Sequence, residues 1–233
     1  MRERDCIVVM AKQPISGLAK SRLGASLGND AAAGLYEAFL LDTLTVCMSV
    51  DATTLVSYAP DDAEARTYFA LVAPTAVLAP QREVSFGERL SNSMSAVFDR
   101  GFARVAILGS DIPHLQRSWI TGAFAALDDH GAALGPTLDG GYYLLALAAP
   151  EPRLFADIDW SSGRELAQTL QRAGELGLGV QSLPRTFDVD DVDDLRALRE
   201  MIADTPDAVG SYTRGALVRL QQQTAAAATR VAQ

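Results

Sequence analysis

Residues 104–109 have the sequence RVAILG, and Ser110 and Asp111 follow directly. A short, continuous apolar run that stops at polar residues is typical of a strand buried on both faces of a sheet. Residues 5–11, DCIVVMA, have the same form. The two segments predict the central strands of an α/β sheet, each with its carboxyl end at a polar loop.

Outward from these two strands, the pattern alternates between short apolar runs and helical periodicity. Further strands are predicted at 53–59, within 72–80, and at 132–136, 142–147 and 179–184, and TFDVDDVDDL is predicted to pass from strand to helix. Helices are predicted at 29–49, from 61, and at 86–102, 114–131, 163–175 and about 204–233. This alternation predicts one α/β domain over 1–233, with a mostly parallel sheet and helices on both faces.

Composition narrows the class of protein. The net charge of -9 and the pI near 4.7 argue against a nucleic-acid partner. Cys6 and Cys47 are too few for a disulfide scaffold and are expected to be buried thiols. His114 and His130 are expected on the surface. The first apolar run is too short for a membrane span, so we expect a cytoplasmic protein without a membrane partner. A homodimer is possible, although no residue argues for one.

A basic loop follows the first predicted strand. Lys12 and Lys20 are the only lysines among 20 basic residues, and both lie in this loop together with Arg22. A compact ammonium suits a phosphate, so the loop is predicted to bind one. The alternative is a solvated basic loop. The loop is not a Walker motif, since it lacks the required glycine–lysine pair, and it contains no GxGxxG.

Acidic residues occur at positions where they could bind a metal ion beside the substrate's phosphates. Asp111 directly follows a buried strand, and carboxylates there can hold Mg²⁺ or Mn²⁺. The alternative role for Asp111 is a helix N-cap. Asp190 belongs to FDVDDVDDL at 187–195 and is the preferred second ligand, while its neighbours can be helix-start charges.

The segment DGGYY at 139–143 is a hairpin signal between two apolar runs. In a sheet of this kind the tip of such a hairpin can face the ligand crevice. Asp139 and Tyr142 are therefore candidates on the acceptor side, with Asp139 acting as a base or binding the acceptor. The alternative is a plain turn.

Four motifs together resemble one known family. AKxPxxGxxKSRL, GSDIP, GPxxDGGYYL and FDVDDVDDL, in this order, resemble the DUF2064 proteins of the nucleotide-diphospho-sugar transferase superfamily. More distantly, the chain is similar to phospholactate and molybdenum cofactor guanylyltransferases. The resemblance covers residues 5–200 and implies a Rossmann-like GT-A fold with a central, mostly parallel mixed sheet. It also implies that the nucleotide binds on the N-terminal half and the acceptor on the C-terminal half.

The resemblance implies phosphate-binding positions for Lys20 and Arg22 and metal-binding positions for Asp111 and Asp190. The other candidate residues come from the predicted loops and turns themselves. Nucleotide contacts are expected from Ala11, Lys12, Gly17, Lys20, Arg22 and Ser110. Metal ligands are expected to be Asp111 and Asp190, catalytic residues Lys20, Asp111 and Asp139, and acceptor contacts Gly140, Gly141 and Tyr142. The chain departs from the family motif DVDTPEDL, because Asp191 and Val192 replace Thr-Pro and Asp193 replaces Glu.

Three functions are compatible with these residues. The first expectation is metal-dependent glycosyl transfer from a nucleotide sugar to a small acceptor. The alternative is nucleotidyl transfer from a nucleoside triphosphate to a phosphorylated small molecule, with release of pyrophosphate. A third is a nucleotide-binding protein without catalysis.

Overall fold

The computed structural model describes residues 5–82 and 84–231 and places seven strands in one sheet. The strands are β1 Asp5–Lys12, β2 Thr53–Ala59, β3 Val77–Pro80, β4 Arg104–Leu108, β5 Ala132–Pro136, β6 Tyr142–Leu147 and β7 Val180–Ser182. The helices are α1 Ser21–Leu27, α2 Asn29–Met48, α3 Ala63–Val72, α4 Phe86–Phe98, α5 Arg117–Ala126, α6 Glu165–Glu175, α7 Val192–Asp204 and α8 Ser211–Val231. Short 3₁₀ turns occupy Pro152–Phe155 and Pro206–Ala208.

The sheet has the order β3-β2-β1-β4-β6-β5-β7. Strand β6 runs antiparallel to both of its neighbours, and every other pairing is parallel. This confirms the predicted α/β class and its mostly parallel mixed sheet. The strands themselves lie where the apolar runs predicted them.

The centre of the sheet is buried on both faces. Cys6 and Val8 of β1 belong to a core cluster that includes Leu90 and Met94 of α4. The alternating residues of β1, Ile7 and Val9, point to the opposite face and are also fully buried. Helices therefore cover both faces of the sheet. The apolar sequence of β1 predicts this, because an exposed face would place apolar side chains in water.

Both thiols are buried, as expected. Burial raises the pKa of Cys6 to about 12, against a smaller lowering effect of Arg100. Burial also raises the pKa of Cys47 to about 12. Neither thiol is a reactive nucleophile at neutral pH, since the thiolate is the reactive form.

The chain forms two compact units. The first contains the residues up to Gln13, Leu44–Ser110 and Gln116–Asp188, and so holds the whole sheet with α3 to α6. The second contains Pro14–Thr43, Asp111–Leu115 and the residues from Val189 onward, with α1, most of α2, α7 and α8. The single domain over 1–233 stays a prediction. The helical tail expected from about 204 is present through Val231, and its last two residues lie outside the described part.

Three local predictions were wrong. Helix α1 begins inside residues 12–24, which were predicted as a loop, because Pro14 and Gly17 act as breakers only before the helix begins. Residues 187–190 form no strand within the described chain. His114 is buried and not on the surface. Burial lowers the pKa of His114 to about 4, so this imidazole is neutral at physiological pH.

Helix α2 is apolar along most of its length. Among the residues that the structure describes, it is the one helix long and apolar enough to cross a membrane, and 61% of its most apolar window is buried inside the protein. Phe39, Leu40 and Leu44 of this helix are completely buried. This degree of burial is what a core helix shows.

A buried carboxylate of α2 caps another helix of the second unit. Asp42 accepts hydrogen bonds from the backbone N–H groups of Thr213, at 2.8 Å, and Tyr212, at 3.3 Å, at the start of α8. Asp42→Ala leaves these donors without their acceptor, so we expect it to lower the free energy of unfolding by about 2 kcal/mol. Urea denaturation measures this. Asp207→Ala, which removes an almost fully exposed carboxylate, should change stability by less than about 0.5 kcal/mol; equal effects would contradict the capping role.

Candidate active site

Predicted ligand-binding residues of the first unit share one edge of the sheet. Because β6 is antiparallel to β4, the start of β6 lies beside the carboxyl end of β4, and the Gly109 N–H donates to the Tyr143 carbonyl at 3.3 Å. The Ser110 hydroxyl donates to the Met10 carbonyl at 3.1 Å and so joins the ends of β4 and β1. The predicted residues at this edge are Ala11, Lys12, Ser110, Asp139, Gly140, Gly141 and Tyr142.

The turn between β5 and β6 is shaped by Asp139. Its Oδ1 accepts hydrogen bonds from the Thr137 hydroxyl at 2.5 Å and the Gly141 N–H at 3.0 Å. Gly140 has a φ of +92° and approaches the Gly163 backbone closely enough that a Cβ would overlap the Gly163 carbonyl oxygen. The hairpin predicted from Asp-Gly is therefore present. Asp139 holds its geometry, and its role as a base stays a prediction.

An aromatic cluster lies beside this turn. Trp160 contacts Tyr142, with ring centroids 6.2 Å apart, and Phe86, with ring centroids 5.2 Å apart. The Tyr142 hydroxyl is shielded from solvent, and burial raises its pKa. Tyr142 thus contributes its ring to packing, and the cluster as a whole was not predicted, because its members lie far apart in sequence.

The start of α4 is capped from within. The Ser85 N–H donates to Glu88 Oε2 at 3.0 Å, and the Glu88 N–H donates to Ser85 Oγ at 3.4 Å. This reciprocal pair is a capping box, and its Ser-x-x-Glu spacing is visible in the sequence. The N-terminus of α4 therefore has a structural explanation that needs no bound anion.

The second unit brings together three predicted site residues that are distant in sequence. The Lys20 ammonium donates to Asp111 Oδ2 at 3.1 Å and also to Asp190 Oδ1. Lys20 lies directly before α1, Asp111 lies in the loop after β4, and Asp190 precedes α7. The expected grouping of a lysine and two aspartates is thus present.

The charges of this group stabilise each other. The Lys20 side chain is only 7% exposed, while those of Asp111 and Asp190 are 33% and 39% exposed. Burial alone would lower the pKa of Lys20, but the adjacent carboxylates raise it by more, so the ammonium stays charged. Arg22 Nη1 lies 3.9 Å from Asp190 Oδ2, with its own side chain 75% exposed. One buried cation therefore bridges two acids under an exposed guanidinium.

The structure assigns separate roles to the aspartates that follow Asp190. Asp191 accepts hydrogen bonds from the N–H groups of Asp193 and Asp194 and forms the N-cap of α7. Asp194 accepts in return from the N–H groups of Asp190 and Asp191. Asp193 is exposed and pairs with Arg196. Of the aspartates from 190 to 194, Asp190 is the one that bonds Lys20, and the cap explains much of the acidic run.

The donors around Lys20 fit a divalent metal. Two carboxylates from separate chain segments converge on one cation, the Lys20 ammonium. Their oxygen donors are the type that Mg²⁺ and Mn²⁺ prefer. Asp111 and Asp190 are therefore suitable metal ligands.

Other predicted nucleotide contacts are divided between the two units. Gly17, with a φ of +81°, and Arg22 lie in the second unit with Lys20. Lys12 and Ala11 lie in the first unit at the end of β1. The roles of Lys12, Ala11 and Gly17 stay predictions.

Comparison with known proteins places the chain among nucleotide-dependent transferases. The family described as "Uncharacterized protein conserved in bacteria (DUF2064)" matches residues 43–162. Phosphoenolpyruvate guanylyltransferase of Sphaerobacter thermophilus is 34% identical over 197 residues, covering 82% of this chain and 91% of that protein. Phosphoenolpyruvate guanylyltransferase of Rhodococcus erythropolis is 30% identical over 216 residues, covering 87% and 92%.

A solved structure agrees with the fold along nearly the whole chain. The "putative nucleotide-diphospho-sugar transferase" of Desulfovibrio desulfuricans G20 is 32% identical and superposes with a TM-score of 0.87 over 96% of both chains. Its name points to a nucleotide sugar, whereas the two sequence relatives are named for guanylyl transfer. All three names describe transferases.

Proposed function

The chain belongs to the DUF2064 family and is a transferase, and on this premise we propose that it is a nucleotidyltransferase. It would transfer a nucleoside monophosphate group, guanylyl in the first instance, from a nucleoside triphosphate to a phosphorylated small acid. The observation that supports this most is the Lys20 ammonium held by Asp111 and Asp190, with Arg22 nearby. Two cations at the start of α1 suit the high negative charge of a triphosphate.

The proposed reaction is a single displacement at phosphorus. A phosphate oxygen of the acceptor attacks the α-phosphorus, and the bond from that phosphorus to the oxygen that bridges the α- and β-phosphates breaks. Pyrophosphate leaves with the electron pair. Lys20 and Arg22 would stabilise the negative charge that accumulates on the departing pyrophosphate.

Asp111 and Asp190 would hold Mg²⁺ or Mn²⁺. When bound, the metal neutralises charge on the phosphate oxygens. Ala11, Lys12, Gly17 and Ser110 are proposed as further nucleotide contacts. The acceptor would lie near the Gly140–Gly141 turn, whose conformation Asp139 fixes.

Glycosyl transfer, the first expectation from the sequence, becomes the second candidate. The supporting observation is the name of the Desulfovibrio relative, at 32% identity. The guanylyltransferase relatives outweigh it, because both are curated proteins and both cover more than four fifths of this chain.

A ligand panel with and without Mn²⁺ tests the choice. We expect GTP with Mn²⁺ to raise the melting temperature, since a ligand at 100 times its Kd stabilises a protein by about 2.7 kcal/mol. Pyrophosphate should then be released only when a phosphorylated acid such as phosphoenolpyruvate is added. Stabilisation by nucleotide sugars alone would instead support glycosyl transfer. Tight binding of GTP that neither Mn²⁺ nor Asp111→Ala affects would support a protein without catalysis.

A further inference from the structure

The position of the Lys20 ammonium has a consequence for how ligands bind. It lies between two carboxylates, bonds both, and is almost completely shielded from solvent. A buried cation in such a place is stabilised only while its anionic partners remain. A metal ion that used the same two carboxylates would therefore remove the partners of Lys20.

The backbone of all three residues is hydrogen-bonded, and the Gly24 N–H donates to the Lys20 backbone carbonyl at 2.8 Å. The Val189 N–H donates to the Asp111 carbonyl at 3.1 Å, and the Asp190 N–H donates to Asp194 Oδ2 at 2.9 Å. The Lys20 side chain, by contrast, has a flexible four-carbon stem. Each aspartate carboxylate is joined to its backbone by a single methylene group, so of the three charged groups the Lys20 ammonium has the longest reach.

The backbone at Lys20 is also unusual. Its φ of 50° and ψ of 54° lie in the left-handed region, which is unfavourable for a residue with a Cβ. The residue with this unfavourable backbone conformation is the same one whose ammonium bonds Asp111 and Asp190. Strain of this kind is concentrated at functional positions.

We propose that Lys20 is an internal counter-ion that occupies the metal position in the nucleotide-free protein, so that metal binds tightly only when the nucleotide phosphates accept the ammonium. This inference rests on the proposed function. Two cations cannot share one pair of carboxylates without repulsion, whereas a polyphosphate supplies new acceptors for the displaced ammonium. Metal and nucleotide then increase each other's affinity, because coupling between two sites is reciprocal.

Calorimetric titration of Mn²⁺ into the nucleotide-free protein tests this proposal. Lys20→Met removes the competing ammonium and should tighten Mn²⁺ binding by about tenfold relative to wild type. The matched control is Arg22→Met, which removes an equal charge close to Asp190 but not the group between the acids. Its affinity for Mn²⁺ should stay within about twofold of wild type.

Further variants keep the result interpretable. Circular dichroism checks the fold, and Lys20→Gln replaces Lys20→Met if the latter does not fold without metal. Adding Asp190→Asn to Lys20→Met should abolish the gain in affinity. If wild type binds Mn²⁺ and the Lys20 variants bind it no more tightly, the counter-ion inference fails while the metal site stands. If no variant binds Mn²⁺ and GTP binding is also unaffected by it, the metal part of the proposed function fails as well.

Discussion

Asp190→Asn is expected to lower the rate of pyrophosphate release by about 10²–10³-fold at saturating GTP and Mn²⁺. Asp190 is one of two carboxylates that converge on the buried Lys20 ammonium. An amide of the same size lacks the charge that binds a divalent ion. Steady-state kinetics measure the effect, and Mn²⁺ titration should show a parallel loss of affinity.

Asp193→Asn is the matched control for Asp190→Asn. It is the same substitution in the same acidic run, but the Asp193 side chain is 77% exposed and pairs with Arg196. We expect less than about a twofold change in rate, because an exposed pair contributes little. Equal losses in the two variants would mean that the charge of the whole run matters, and not the position of Asp190.

Gly140→Ala is expected to lower the free energy of unfolding by about 3 kcal/mol. The φ of +92° is unfavourable for alanine, and its Cβ would overlap the carbonyl oxygen of Gly163. That neighbour is backbone, so no side-chain rotation relieves the overlap. Urea denaturation gives the stability, and acceptor-dependent activity should fall because the turn must open.

Gly174→Ala provides the opposite result as a control. Gly174 lies in α6, and apart from the adjacent backbone of its own helix a Cβ there would meet no atom within 4 Å. Alanine should stabilise the helix by about 0.5–1 kcal/mol. If both glycine variants were neutral, the close approach of Gly140 and Gly163 would be wrong.

Much of the fold was predictable because buried strands leave a strong signal. In a strand with a continuous apolar run, such as residues 104–108, all side chains are removed from water only when both faces of the sheet are covered. Helix α1 was not predictable, because its seven residues include Gly24 and follow a Pro- and Gly-containing loop. Its conformation depends on tertiary contacts and not on local propensity.

The grouping of charged residues in the candidate site was also predictable in part, from the rule that ligands bind at the carboxyl ends of strands. That rule selected Asp111 directly, and the lysine usage of the chain selected Lys20. The burial of His114 was not predictable, since a histidine beside a helix carries no marker of its surroundings. The left-handed backbone of Lys20 likewise has no signature in the sequence, because glycine and asparagine are the residues that favour it.

The pairing of β1 affects how the chain folds during synthesis. Asp5 pairs with Arg104, which lies 99 residues further along the chain, whereas β5 and β6 are joined by a short turn. Pairings close in sequence form quickly, and distant ones must close a large loop first. During synthesis, the edge of β1 that pairs with β4 therefore has no strand to bond until β4 has left the ribosome. An unpaired strand edge favours aggregation, so we expect the yield of folded protein to depend on chaperones or on slow translation.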